Sequence, residues 1–131
     1  MLLAICSAAI SAGGAESAFA CRCIEPSPRQ AYRSAQSVAY GKVVSVRRDN
    51  EGADIIYVLE VAESWKRRVE PQITIHSGTT CAFEANVGEK YVVFLKQYKP
   101  DIYDTAMCMG NRPEANARAL LNYLEAMKPQ K

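Results

Sequence analysis

Cys21, Arg22 and Cys23 follow directly on Ala18-Phe19-Ala20, a small-x-small pattern of the kind cut at the end of a secretory leader. Cleavage there makes Cys21 the first residue of the mature chain. A cysteine whose amine is released by cleavage can do chemistry closed to an internal cysteine, because a titratable nitrogen then stands beside the thiol.

The segment ahead of that site suits a leader. Met1 to Ile10 is an apolar run and small residues lead on to Ala20, a stretch too short to span a bilayer with proper flanks. It contains no Lys or Arg, so the usual positive start is missing, which points to a translation start further upstream. Residues 1–20 are therefore expected to be a signal peptide and residues 21–131 one exported domain, secreted or periplasmic, without a transmembrane segment. Removing residues 1–20 takes away Glu16 alone among the charged side chains, so the net charge moves from +2 to +3. That is too weak for a nucleic-acid partner, and the aromatic supply is modest.

Cys6 leaves with the leader, and Cys21, Cys23, Cys81 and Cys108 remain, an even set in an exported chain. Two disulfides are expected. Cys21 with Cys23 would strain the bridge geometry, so both should reach far along the chain, and two pairings stay open. Either closes loops of roughly 60 to 90 residues, each worth about 3 to 5 kcal/mol in the chain-entropy account.

The elements that must position these cysteines follow from pattern. Pro26 and Pro28 make Ile24-Glu25-Pro26-Ser27-Pro28 a stiff, exposed arm. Arg29 to Ser37 reads as a short helix with Ala31, Tyr32 and Ala35 facing inward. Val38, Tyr40, Val44 and Val46 share one strand parity, and Arg47 to Gly52 marks a turn. Ile55, Tyr57, Leu59, Val61 and Trp65 share another parity over a run long enough for a bent strand. Shorter strands are predicted at Gln72–His76, at Tyr91–Leu95, whose unbroken apolar run suits burial on both faces, and at Ile102–Met107. Asn111-Arg112-Pro113 reads as a helix start, with Ala117, Leu120, Leu121, Leu124 and Met127 at helical spacing. A short N-terminal helix, five strands and a C-terminal amphipathic helix predict a mainly β fold, a five-stranded OB-type barrel.

The chain resembles the inhibitory domain of the tissue inhibitors of metalloproteinases, within the netrin-like group. Cys21, Cys23, Ile24, Pro26, Pro28, Ala31 and Tyr32 fall where that family's mature N-terminus has its Cys-x-Cys, apolar residue, alternate prolines and Ala-aromatic pair. The likeness continues loosely through Trp65-Lys66, Thr79-Thr80-Cys81 and Thr105 to Cys108. It implies a disulfide map, Cys21 with Cys81 and Cys23 with Cys108. It also implies an activity: the amine and carbonyl oxygen of Cys21 would chelate the catalytic zinc of a target metalloendopeptidase, displacing its water. Arg22 would enter the primed-side specificity pocket, Ile24 and Glu25 would lie along the substrate groove, and Thr79 and Thr80 would form a second contact strip. Two departures stand out. Arg33 occupies the place of a third N-terminal cysteine, and Arg22 that of a small hydroxylated residue. The alternative implied by the same likeness is a netrin-like interaction domain without a protease target.

Competing chemistries are less well supplied. Cys-x-Cys can take a soft metal, yet no Met-rich or His-rich companion accompanies it. Lipid attachment at Cys21 is disfavoured by Ala18 and Phe19. His76 alternates with Ile73 and Ile75, which puts it on a weakly buried strand face, and Trp65 is expected to pack at a barrel end. Arg47-Arg48 and Lys66-Arg67-Arg68 read as solvated strand ends that together could meet acidic glycans or anionic surfaces. No nucleophile-base-orienter set, paired carboxylate motif, phosphate loop or H-E-x-x-H is present, so no enzyme and no cofactor is expected. A monomer is expected.

Overall fold

A computed structural model describes residues 21–78 and 81–128. The predicted leader with Ala18-Phe19-Ala20 and Cys6, and Thr79 and Thr80 of the second contact strip, lie outside the described residues.

The first helix, α1, runs Pro28–Ser34, one residue ahead of its predicted start and three short of its predicted end. Ser27 explains the start: its Oγ accepts from Gln30 N at 3.2 Å while Gln30 Oε1 accepts from Ser27 N at 3.0 Å, a reciprocal cap with Pro28 in the first turn. At the other end, Lys66 Nζ donates to the carbonyls of Tyr32 at 2.7 Å and Ala35 at 2.5 Å, and Gln36 N donates to Leu95 O, pulling the chain into the sheet.

Six strands form one sheet: β1 Ser37–Asp49, β2 Asp54–Trp65, β3 Gln72–Gly78, β4 Lys90–Lys99, β5 Ile102–Asp104 and β6 Arg112–Pro113. The order is β1-β2-β3-β5-β4-β6, and β1 also pairs with β4, so hydrogen bonding runs in a ring through β1, β2, β3, β5 and β4. All pairings are antiparallel except β3 with β5. The long first strand makes the ring possible, since Ser37–Lys42 pairs with β4 on one side and Val38–Lys42 with β2 on the other.

Two bulges overturn the simple parity of β1 and β2. An extra residue on β2 at Ala62 and one on β1 at Val44 shift the register. Each reverses which face the following side chains take. Val38 and Tyr40 therefore pack under the helices, Val46 packs inside the ring, and Val44 stands 36% exposed, so the four do not share a face. Likewise Ile55, Tyr57, Leu59 and Val61 point into the ring, whereas Trp65 joins the helix side. Gly41 sits at the first bulge, where an added Cβ would fall 2.2 Å from Glu60 O. Gly41→Ala is expected to cost about 1 to 3 kcal/mol through this backbone clash, read as a lowered urea midpoint at unchanged slope.

The predicted last strand is shorter than Ile102–Met107, ending at Asp104, although Thr105 N still donates to His76 O at 3.1 Å. Asn111-Arg112-Pro113 is not a helix start. Arg112 and Pro113 pair with Val92 and Tyr91, a 3-10 turn follows at Glu114–Asn116, and helix α2 runs Arg118–Ala126. Proline is tolerated there because it sits on an edge strand.

Tyr91–Leu95 is buried throughout and splits the core. Tyr91, Val93 and Leu95 face the ring interior with Ile55, Tyr57, Leu59, Ile73 and Ile75, while Val92 and Phe94 face Ala31, Ala35, Leu120 and Leu124 of the helices. Met127, predicted on that stripe, is 44% exposed. Each fully buried aliphatic or aromatic side chain contributes about 1.5 to 3 kcal/mol, so both layers hold the sheet.

Candidate functional site

Cys21 is bonded to Cys81 and Cys23 to Cys108, with Cα separations of 5.5 and 5.6 Å. Alternate residues of an extended segment are thus bolted to two loops, and the side chains between and after them point out. Cys21 and Cys23 are half-buried, Arg22 and Glu25 are exposed, and Ile24 is 96% exposed. A large aliphatic side chain held almost wholly in water forgoes the gain that burial would bring. Behind the arm lies a groove of about 560 Å³ whose walls include Ile24, Glu25, Ala31, Lys96 and Met109.

The two anchoring loops are joined to each other. Met107 N donates to Cys81 O at 3.0 Å, and the buried Ser77 hydroxyl accepts from Phe83 N at 2.8 Å while donating to Thr105 O at 2.8 Å. One hydroxyl thus ties the Cys81 loop to the Cys108 loop.

Each loop is also pinned to the core. Asn111 Oδ1 accepts from Phe94 N at 2.7 Å, its Nδ2 donates to Thr105 Oγ1 at 2.9 Å and Ala106 O at 3.1 Å, and Thr105 Oγ1 donates to Phe94 O at 2.8 Å. These side chains complete the edge of β4 just past the short pairing with β6. Gly110, at φ +101°, turns this loop against α1, where a Cβ would come 2.7 Å from Ala31 Cβ. On the other loop, Tyr57 Oη donates to Phe83 O at 2.6 Å and accepts from Ala85 N at 3.0 Å, and Tyr91 Oη accepts from Asn86 N at 2.9 Å. The Phe83 ring packs between these two tyrosines.

Burial pushes the Tyr57 and Tyr91 hydroxyls above their ordinary value near 10.0, against the lowering effect of the amides of Ala85 and Asn86, and burial raises Tyr103 too. A raised value in the folded state means that the unfolded chain loses these protons first. Their contribution to stability is complete below about pH 10 and is lost as pH rises through the folded values. Three of the seven tyrosines are therefore expected to ionise late, together with loss of circular dichroism, in an alkaline titration followed by phenolate absorbance.

The structure brings Cys21, Arg22, Cys23, Ile24 and Glu25 together with Cys81 and Cys108. Thr79 and Thr80 are bracketed in the chain by Gly78 and Cys81. Ser77, Thr105 and Asn111 position the site; Thr105 enters from sequence only as the start of the stretch Thr105 to Cys108 that carries the resemblance, and Ser77 and Asn111 are not read there as site residues. Ser77 did carry a signal, a hydroxyl at the inward parity of Ile73 and Ile75, whereas Asn111 was hidden by its reading as a helix start.

Outside the arm, His76 is half-buried on the outer face, as expected. Its Nδ1 lies 3.0 Å from Asp104 Oδ1 and its Nε2 3.2 Å from Asp54 Oδ1, and its ring stacks on Tyr98 at 4.6 Å, clipping β2, β3 and β5 together. Among the described residues no group of three or more His, Cys, Asp and Glu side chains is placed to hold a metal ion. Also among them, no helix is long and apolar enough to cross a membrane. The two basic runs do not form one patch. Arg48 pairs opposite Ile55 near the hairpin turn, whereas Lys66 to Arg68 follow Trp65 at the other end of β2.

No protein-family profile matches the chain, and no curated protein is significantly similar to it in sequence.

Proposed function

We propose that the mature chain is an exported inhibitor of a zinc metalloendopeptidase, akin to the inhibitory domain of the tissue inhibitors of metalloproteinases, with its ring of strands acting as an OB-type barrel that carries the arm. The observation that carries this reading is the arm itself. Its first residue is bolted to one loop, its third to another, the loops are bonded together, and Ile24 stands 96% exposed.

A catalytic zinc keeps one coordination position for water. The α-amine that cleavage creates on Cys21 and the carbonyl oxygen of the same residue close a five-membered chelate at that position, displacing the nucleophile. A chelating arm gains affinity when its bound shape exists before contact, because little freedom is lost on docking. Two disulfides and Pro26 supply that shape. The amine must be unprotonated to bind, and with a reference α-amino pKa of about 7.7 to 8.0 inhibition weakens in acid.

Arg22 then points to the target. A guanidinium resists desolvation unless a carboxylate receives it, so the protease should have an acidic primed-side pocket. Ile24 and Glu25 extend along the cleft, and Thr79 and Thr80 flank it.

The test is a panel of zinc endopeptidases assayed with processed protein whose N-terminal mass shows unmodified Cys21. One-to-one inhibition, strongest for enzymes with an acidic pocket, is expected. Activity unchanged across the whole panel leaves a netrin-like interaction domain, in which the same cysteines only hold the loops.

A further inference from the structure

The connection from β2 to β3, residues 66–71, opens on three successive exposed cations, Lys66, Arg67 and Arg68. Their peptide bonds are not equivalent. Lys66 stands at φ +66°, a left-handed conformation uncommon outside glycine, its Nζ is held by the carbonyls of α1, and Arg67 N donates to Trp65 O at 2.8 Å. Arg67 O accepts from the buried Ser37 hydroxyl at 2.5 Å. By contrast, Arg68 O and Val69 N make no hydrogen bond among the described residues, and the Arg68 guanidinium makes no ion pair among them.

An exposed arginine followed by an unpaired amide is what a trypsin-like serine endopeptidase takes up, with the guanidinium on a carboxylate at the base of its pocket. The other described basic residues are shielded from such an enzyme. Lys42, Arg47 and Arg48 lie in β1, Lys90 and Lys96 in β4, and Arg29, Arg33 and Arg118 in helices, so their backbones are already paired. Lys99, Arg112 and Lys128 are each followed by proline, which lacks the amide and resists this cleavage, and Arg22 sits between two bridged cysteines.

Val69 controls access to the bond. Its side chain is 7% exposed and packs inside the ring of strands, and lying extended across a protease cleft pulls it out. Cutting therefore follows a local opening of the loop, whose population sets the rate.

We propose that Arg68–Val69 is an endoproteolytic processing site for an arginine-directed serine endopeptidase. Water adds across this amide, leaving a carboxylate on Arg68 and an amine on Val69, and no other bond changes. Cys21 and Cys23 precede the cut while their partners Cys81 and Cys108 follow it, so segments 21–68 and 69–131 of the mature chain stay joined by both bridges. The product is a two-chain form with the arm still bolted to its loops. This inference does not rest on the zinc-directed reading.

The mature full chain incubated with a trace of trypsin is expected to gain the mass of one water without reduction, and to separate on reduction into 21–68 and 69–131. Arg68→Gln should slow the first cut by about fivefold or more, because cutting after Arg67 must also break the bond from Ser37. Val69→Ala, at unchanged circular dichroism, should speed it by about fivefold by easing the opening. The proposal is overturned if the folded protein stays intact where the reduced chain is digested, or if trypsin cuts first at another bond. It is equally overturned if Arg68→Gln is cut as fast as the parent, if Val69→Ala is cut no faster, or if the nicked protein falls apart without reduction.

Discussion

Mature protein carrying one additional alanine ahead of Cys21 is expected to fold, form both disulfides and lose inhibition by about a thousandfold or more, equivalent to about 4 kcal/mol. The extra residue converts the amine of Cys21 into an amide, which no longer offers a lone pair to zinc. It also moves the new terminus by roughly 3.5 Å, beyond reach of a five-membered chelate. Neither change touches the Cys81 and Cys108 bridges, whose partners lie on the loops behind the arm. Thermal unfolding and a non-reducing mass measurement check that the variant is intact. Equal potency of the extended and parent forms would refute zinc chelation while leaving the stapled fold untouched.

Replacing Cys23 and Cys108 together by serine should lower stability by about 3 to 5 kcal/mol, because the bridge spans 85 residues of sequence and removes that much loop entropy from the unfolded chain. In a domain of this size that is a fall of roughly 12 to 20 °C in Tm, measurable by calorimetry. The matching Cys21→Ser/Cys81→Ser variant opens a 60-residue span, and 1.5RT ln(85/60) makes its loss only about 0.3 kcal/mol smaller. The two variants should differ in function far more than in stability. Without Cys81 the residue proposed to chelate, Cys21, is itself untethered, although its amine and carbonyl are chemically unchanged. Inhibition should drop by at least about tenfold more than in the Cys23/Cys108 variant, as ordering of the arm is then charged to binding. Equal inhibition by the two would mean that rigidity at Cys21 is irrelevant.

Pattern reading and structure part company for three reasons: inserted residues, a local cap and a distant partner. Strand parity was legible within each uninterrupted run, such as Ile55, Tyr57 and Leu59, because alternation is a local property of extended backbone. It failed across Ala62 and Val44, where a single inserted residue reverses every later side chain and leaves no mark in composition. Trp65 moved from the ring to the helix side for that reason. The start of α1 was misplaced by one residue because Pro28 suits both an arm and a first helical turn, and the Ser27–Gln30 cap decides between them. Asn111 looked like a helix start because its role, completing β4, depends on a strand 17 residues earlier.

What the amino-acid sequence determined by itself was local: the cysteine set, the stiffness of the proline arm, the apolar run of Tyr91 to Leu95 and the amphipathic stripe of α2. Each follows from covalent geometry or from a period read over a few residues. Tertiary structure decided the rest. It chose between the two cysteine pairings left open by spacing, closed the ring of strands, joined the two anchoring loops through Ser77, and separated the basic runs to opposite ends of β2. Those outcomes depend on which distant segments meet. That is set by the burial of the whole core and by where two bulges fall, quantities that no short window of residues contains.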